Sequence, residues 1–174
     1  MARYLAFLRA INVGGHTVAM VDLRRHVEAL GVTNVETFIA SGNVLFDSSK
    51  KPATLEREFE VGLQAALGYE VATFIRTPTE IAAIAAYQPF GPVEKGHTLF
   101  ISLLKASPDK AAQARVLALQ TDVDGFHFHE REFYWLRRGG HDSTKFTGGQ
   151  FERLIKAPAT SRNLNTFVRL AAKA

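Results

Sequence analysis

The chain of 174 residues contains no cysteine, which removes a disulfide framework, a thiolate nucleophile and every cysteine-based metal site. It also lacks any apolar run near the roughly 20 residues that a membrane-spanning helix needs, so no membrane partner is expected. The start Met1-Ala2-Arg3-Tyr4 has none of the charged-then-apolar pattern of a secretory signal, and the cytoplasm is the expected compartment. No Gly-x-x-x-x-Gly-Lys-Ser/Thr run occurs, which leaves nucleoside triphosphate hydrolysis without support.

What is present describes a globular chain with a real core, 47% hydrophobic and 22% charged. The net charge of +4 mildly favours anionic partners such as phosphates, nucleotides or RNA. Basic pairs at Arg24-Arg25, Lys50-Lys51 and Arg137-Arg138 are spread along the chain, as solvated faces would be.

The stretch from Arg3 to Arg9 reads as a buried central strand, and Asn12-Val13-Gly14-Gly15 breaks it off in a loop where paired glycines permit close backbone approach. A helix from about Met20 to Leu30 follows on Met20, Leu23, Val27 and Leu30, stopped by Gly31. Val35, Thr37 and Ile39 alternate as a strand, and Ser41-Gly42-Asn43 turns the chain into Val44-Leu45-Phe46. Pro52 opens a second helix to about Leu67, and Tyr69 to Arg76 alternates again.

That order, βαββαβ over residues 1–77, is the pattern of a ferredoxin-like plait. A right-handed crossover makes its first two strands parallel. The Asn12–Gly15 and Ser41–Asn43 loops are therefore expected at one sheet edge.

Residues 78–174 read as a second, incomplete copy. Thr77-Pro78-Thr79-Glu80 is a capping box, Thr98 to Leu104 a strand, Ser107-Pro108-Asp109 a capped helix start, and Phe126 to Leu136 a hairpin. Gln150 to Lys156 and Arg162 to Ala172 read as helices, giving βαββαα with a helix where a fourth strand would stand. Tyr4 to Leu8 and Leu99 to Leu104 are apolar on both faces, so a covering layer is expected and the α+β halves are read as packed into one compact unit.

Arg9-Ala10-Ile11-Asn12-Val13-Gly14-Gly15, Ser41-Gly42-Asn43-Val44, Pro89-Phe90, Ser143-Thr144-Lys145-Phe146 and Ala159-Thr160-Ser161-Arg162-Asn163-Leu164-Asn165-Thr166 together resemble the family catalogued as domain of unknown function 1697. The resemblance implies a cytosolic, mostly bacterial α+β protein of two ferredoxin-like halves, and no established activity, cofactor or catalytic residue. Ala10 stands where the family usually has glycine, and Leu164 where it usually has tryptophan.

Two residue groups are candidates for ligand binding. Arg9, Asn12, Gly14, Gly15, Ser41, Gly42 and Asn43 suit a nest of backbone N–H groups for an anion, although surface turn chemistry explains the same residues. Lys145, Arg162, Asn163 and Asn165 suit an anion site at the start of the last helix, with a Ser161 cap as the plainer reading. His127 and His129 share a strand face, which a solvated surface explains better than zinc, so no metal and no cofactor are expected. His141-Asp142-Ser143 has the residue types of a hydrolase triad but adjacent residues cannot form its relay.

A small phosphate- or carboxylate-bearing ligand is the expected partner. Nucleic acid, with the Phe126, Phe128 and Phe133-Tyr134-Trp135 aromatics as a stacking sheet, is the alternative, and a protein-interaction module without a ligand is the third. Whether a reaction is catalysed, and the oligomeric state, are left open by the sequence.

Overall fold

Strand β1 (Ala2–Leu8) forms where Tyr4 to Leu8 are consecutively buried, as a central strand covered on both faces requires. The computed structural model describes residues 1–12, 14–39 and 42–174; Val13, Ala40 and Ser41 lie outside the described residues. It divides into two units, Met1–Ala83 with Leu170–Ala174, and Ile84–Arg169.

The first unit continues with α1 (Met20–Glu28), β2 (Thr33–Thr37), β3 (Asn43–Ser48), α2 (Pro52–Leu67) and β4 (Thr73–Arg76). Its sheet has the order β2-β3-β1-β4, with β1 and β2 each antiparallel to β3 and hence parallel to each other. This is compatible with a ferredoxin-like half. Helix α2 forms because Pro52 fits its first turn, Leu55, Phe59 and Leu63 recur every fourth residue, and Gly68 takes a left-handed φ of 83° at its end. Those three side chains pack with Leu23 and Val27 of α1 on Ala6, Leu8, Val44, Phe46 and Ile75 of the sheet. Strand β2 is shorter than its alternation predicts: it stops at Thr37, and Ile39 turns into the left-handed region at φ 60°.

β4 ends the sheet, and α2 closes that edge. Glu60 accepts the Thr73 N–H at 3.1 Å and Glu56 accepts the Ile75 N–H at 3.0 Å, so donors of the open edge are capped by side chains rather than offered to another strand.

Helix α3 (Pro78–Ala86) starts at the predicted capping box: Thr77 N–H donates to Glu80 Oε2 at 2.8 Å and Glu80 N–H to Thr77 Oγ1 at 3.1 Å. The second sheet is built from β5 (Thr98–Leu103), β6 (Asp124–His129), β7 (Glu132–Arg137) and β8 (Thr160–Asn163), in the order β6-β7-β5-β8. Helices α4 (Lys110–Leu117) and α5 (Gly148–Ile155) lie between its strands in sequence, and α6 (Leu164–Lys173) follows.

Here the expected βαββαα is corrected. Thr160 to Asn163 is a fourth strand paired antiparallel with β5, so this half is also βαββαβ before its terminal helix. A four-residue edge strand with no apolar alternation is specified by its partner, not by local propensity, while Thr-Ser-Arg-Asn locally resembles a helix cap. Strand β5 is covered less evenly than expected: Leu99, Ile101 and Leu103 are buried on one face, while Thr98, Phe100 and Ser102 on the other are half-buried. Phe126, Phe133, Phe146 and Phe151 form the aromatic core of this unit, with Phe133 stacked on Phe151 at 4.2 Å. Among the described residues, no helix is long and apolar enough to cross a membrane.

Replacing Glu56 and Glu60 with alanine is expected to lower stability by roughly 1 to 3 kcal/mol per residue and to make the protein self-associate as concentration rises. The glutamine pair, which keeps an acceptor oxygen, should stay close to the parent. Urea unfolding and size-exclusion chromatography over a concentration series measure both effects.

Candidate functional site

In the first unit the end of β1 meets the entry to β3, as the strand directions require. Leu8 N–H donates to Gly42 O at 2.9 Å, and Asn43 lies opposite Phe7 in the ladder. A Cβ on Gly42 would stand 2.9 Å from both Ile11 Cγ2 and Leu8 Cβ, so a side chain is excluded by contact as well as by its φ of 76°. Gly14 and Gly15 differ. Both are left-handed, at 64° and 85°, but nothing lies within 4 Å of a Cβ at either; they are needed for the turn, not for close approach to a neighbour, which corrects that expectation.

Asn12 closes its loop by accepting the Val18 N–H at 2.7 Å. Tyr69 supports the same loop: its hydroxyl donates to Ile11 O at 3.0 Å, and its ring stacks on His16 at 3.8 Å. Burial raises the Tyr69 pKa, keeping it a donor. Asn43 is not the surface turn residue expected. It is buried, its Nδ2 donates to Phe38 O at 3.1 Å, and its own carbonyl accepts from Phe38 N–H at 3.0 Å. Arg9 is half-buried, with its backbone N–H on Ala72 O at 2.9 Å. Ser41 lies outside the described residues.

The loop leads into α1, whose N-cap Ala19 offers no side-chain acceptor. Among the described residues nothing accepts from the N–H groups of Met20 and Val21. An exposed glycine turn thus precedes an uncapped helix start, where a negative charge is favoured.

The second group, in the second unit, is arranged differently from the prediction. Asn163, not Ser161, caps α6: its Oδ1 accepts from the Thr166 N–H at 3.0 Å and the Thr166 hydroxyl at 3.1 Å. Arg162 lies in β8 opposite Ile101, where its Nη1 donates to Thr160 Oγ1 at 2.8 Å and Ser161 O at 2.9 Å. Burial pushes its pKa down to about 10, so it stays cationic at neutral pH. Asn165 is exposed on α6, and Lys145 is exposed on the loop before α5.

The histidine face is not simply solvated. Tyr87, which the sequence reading passed over, places its hydroxyl 2.7 Å from His127 Nε2 and stacks on His129 at 3.9 Å. Its signal was present only in composition, as an aromatic closing α3 beside Pro89-Phe90. Next to it the Tyr134 hydroxyl is buried without a hydrogen-bond partner among the described residues, and burial raises its pKa strongly. Among the described residues, no group of three His, Asp or Glu side chains could hold a metal ion. The hairpin aromatics are engaged too: Phe126 and Phe133 are in the core, and Trp135 Nε1 donates to Asp124 Oδ1 at 2.7 Å.

Two outcomes are expected. Gly42→Ala should lose about 2 to 4 kcal/mol, the sum of left-handed strain and overpacking, whereas Ala10→Gly, at a φ of 55°, should gain about 0.5 to 1 kcal/mol; chemical denaturation of both variants measures this. Burial, then the neighbouring His129, holds His127 below its ordinary 6.5. The unfolded chain therefore binds the extra proton first, and stability should fall as pH drops through about 6.5. His127→Gln should remove that part of the slope in denaturation curves taken on either side of it.

A curated protein matching the chain was not found. Among solved structures, the conserved bacterial protein SP0830 from Streptococcus pneumoniae is similar over 99% of this chain and 98% of its own, with a TM-score of 0.79 and 24% identity, which supports the fold. The model of the family described as protein of unknown function DUF1697 matches residues 1–134, beginning with the strand and glycine loops just described, and the chain belongs to that family.

Proposed function

We propose that the protein binds a small phosphate- or carboxylate-bearing ligand at the end of the first sheet where Arg9, Asn12, Gly14 and Gly15 follow β1 and Gly42 and Asn43 open β3, in the cytoplasm. The observation that carries this reading is the concentration of left-handed backbone there: Ala10 at 55°, Gly14 at 64°, Gly15 at 85°, Ile39 at 60° and Gly42 at 76°. Two of the five are not glycine, and one is β-branched, a conformation that costs about 1 to 2 kcal/mol and persists where the surroundings and a function require it. Left-handed turns gather backbone N–H groups into anion-binding concavities. The uncapped start of α1 and the net charge of +4 point the same way. The Asn12 bond to Val18 and the Tyr69 bond to Ile11 fix the loop in advance, which lowers the entropy lost on binding.

A thermal-shift screen over inorganic phosphate, sugar phosphates, nucleotides and short RNA tests it. A ligand at about a hundred times its Kd should add about 2.7 kcal/mol, a rise of roughly 5 to 10 °C in Tm, with only shallow salt dependence. Asn12→Ala should abolish the shift while leaving the ligand-free Tm within a few degrees. Short RNA binding with a steep salt slope, indifferent to Asn12→Ala, would overturn this reading in favour of a nucleic-acid surface; no shift with any probe would favour an interaction module.

A further inference from the structure

The second unit holds a cleft of about 560 Å³, within the size range of small-molecule sites, lined on one side by Leu119 and Thr121 to Asp124 and on the other by Ser143 to Phe146 and Gln150. Its two walls are tied together at depth. Asp124 is only 4% exposed; its Oδ1 accepts from Trp135 Nε1, and its Oδ2 from the Thr144 hydroxyl on the opposite wall. Thr121 Oγ1 accepts the Val123 and Asp124 N–H groups at 3.2 and 3.0 Å, and Thr144 Oγ1 accepts the Phe146 N–H at 3.0 Å, so each wall is also rigid in itself. The cleft is formed before any ligand arrives.

Among the described residues the charged side chains lining the cleft make no ion pair, and the Arg138 guanidinium nearby donates to the Asp122 carbonyl at 3.5 Å. Both Asp124 oxygens accept from neutral donors, Trp135 and Thr144, so neither of these contacts supplies a positive charge beside this carboxyl group. Asp122 and Lys145, both exposed, make no ion pair among the described residues. Two carboxylates against one ammonium disfavour a simple anion. Between them Leu119, Val123 and Phe146 supply an apolar wall.

We propose that this cleft binds a small zwitterion of amino-acid size: its ammonium toward Asp122 and Asp124, its carboxylate toward Lys145, and its apolar part against Leu119, Val123 and Phe146. The site is separate from the anion edge of the first unit and stands or falls independently of it. It gives the Ser143-Thr144-Lys145-Phe146 motif a use beyond packing: Thr144 and Phe146 build the wall, and Lys145 reads the ligand's carboxylate.

The test uses the whole chain labelled with nitrogen-15 and three probes of one shape: L-leucine, L-leucinamide, which lacks the carboxylate, and isocaproate, which lacks the ammonium. L-leucine should move the amide signals of residues 121–124 and 143–146 with a millimolar Kd, leucinamide should bind more weakly, and isocaproate should not bind. Asp122→Asn and Lys145→Met, at exposed positions that do not threaten the fold, should each weaken L-leucine by roughly tenfold, the value of one charge-assisted contact. Isocaproate binding as well as L-leucine, equal binding by both variants, or no response to any probe at about ten times a millimolar Kd would each overturn the assignment.

Discussion

A methyl group's worth of missing space at Gly42 holds the first unit's loops in place. With Leu8 Cβ and Ile11 Cγ2 each 2.9 Å from where a side chain would begin, β1 and the entry to β3 close against each other without a side chain between them. The ladder then has no freedom of register: Leu8 N–H reaches Gly42 O, Asn43 falls opposite Phe7, and every inward side chain of β3 follows at alternate positions. Asn43 is buried in consequence, and its amide serves Phe38 rather than water. The polar loops are thus products of a steric fit in the sheet beneath them.

The two units use one strand order for different ends. In the first, glycine and asparagine occupy the loop ends and aliphatic residues dominate the core, leaving exposed backbone at the edge. In the second, six aromatic side chains, Phe126, Phe128, Phe133, Trp135, Phe146 and Phe151, take over the packing, and the polar chemistry moves to side chains: Asp124 under a cleft, Tyr87 across two histidines. Aromatic rings bury large areas with few torsions to fix, which suits a unit whose α5 is only eight residues long.

What could be read from the sequence follows from how local each determinant is. Pro52, the leucine and phenylalanine spacing and Gly68 are local signals, and α2 has the predicted ends. The meeting of the β1 end with the Gly42 turn was legible because chain handedness is a general constraint, independent of side-chain detail. Strand β8 was not, since Thr160 to Asn163 becomes a strand only through β5, whose paired residues Phe100 to Leu103 lie 57 to 63 positions earlier, far outside any window of periodicity. The glycine pair takes the positive φ of a glycine turn with open space around it, and the sequence could not choose between a turn and a close approach, because φ and open space cannot be separated there. Tyr87, Asp124 and the cleft depend on which side chains face one another across loops, and no spacing rule reports that.

The glutamates on α2 have a consequence for how this sheet could ever change. Glu60 and Glu56 answer the β4 donors as a neighbouring strand would, so the helix acts as a surrogate fifth partner. The width of the sheet is therefore set by chemistry carried on a different element, and a segment added beside β4 would have to displace two carboxylates before it could pair. At the β2 side the Arg3 guanidinium answers the Asn34 carbonyl at 2.8 Å, so the two outer strands are met by opposite chemistry: carboxylates take donors of β4, and an arginine takes an acceptor of β2.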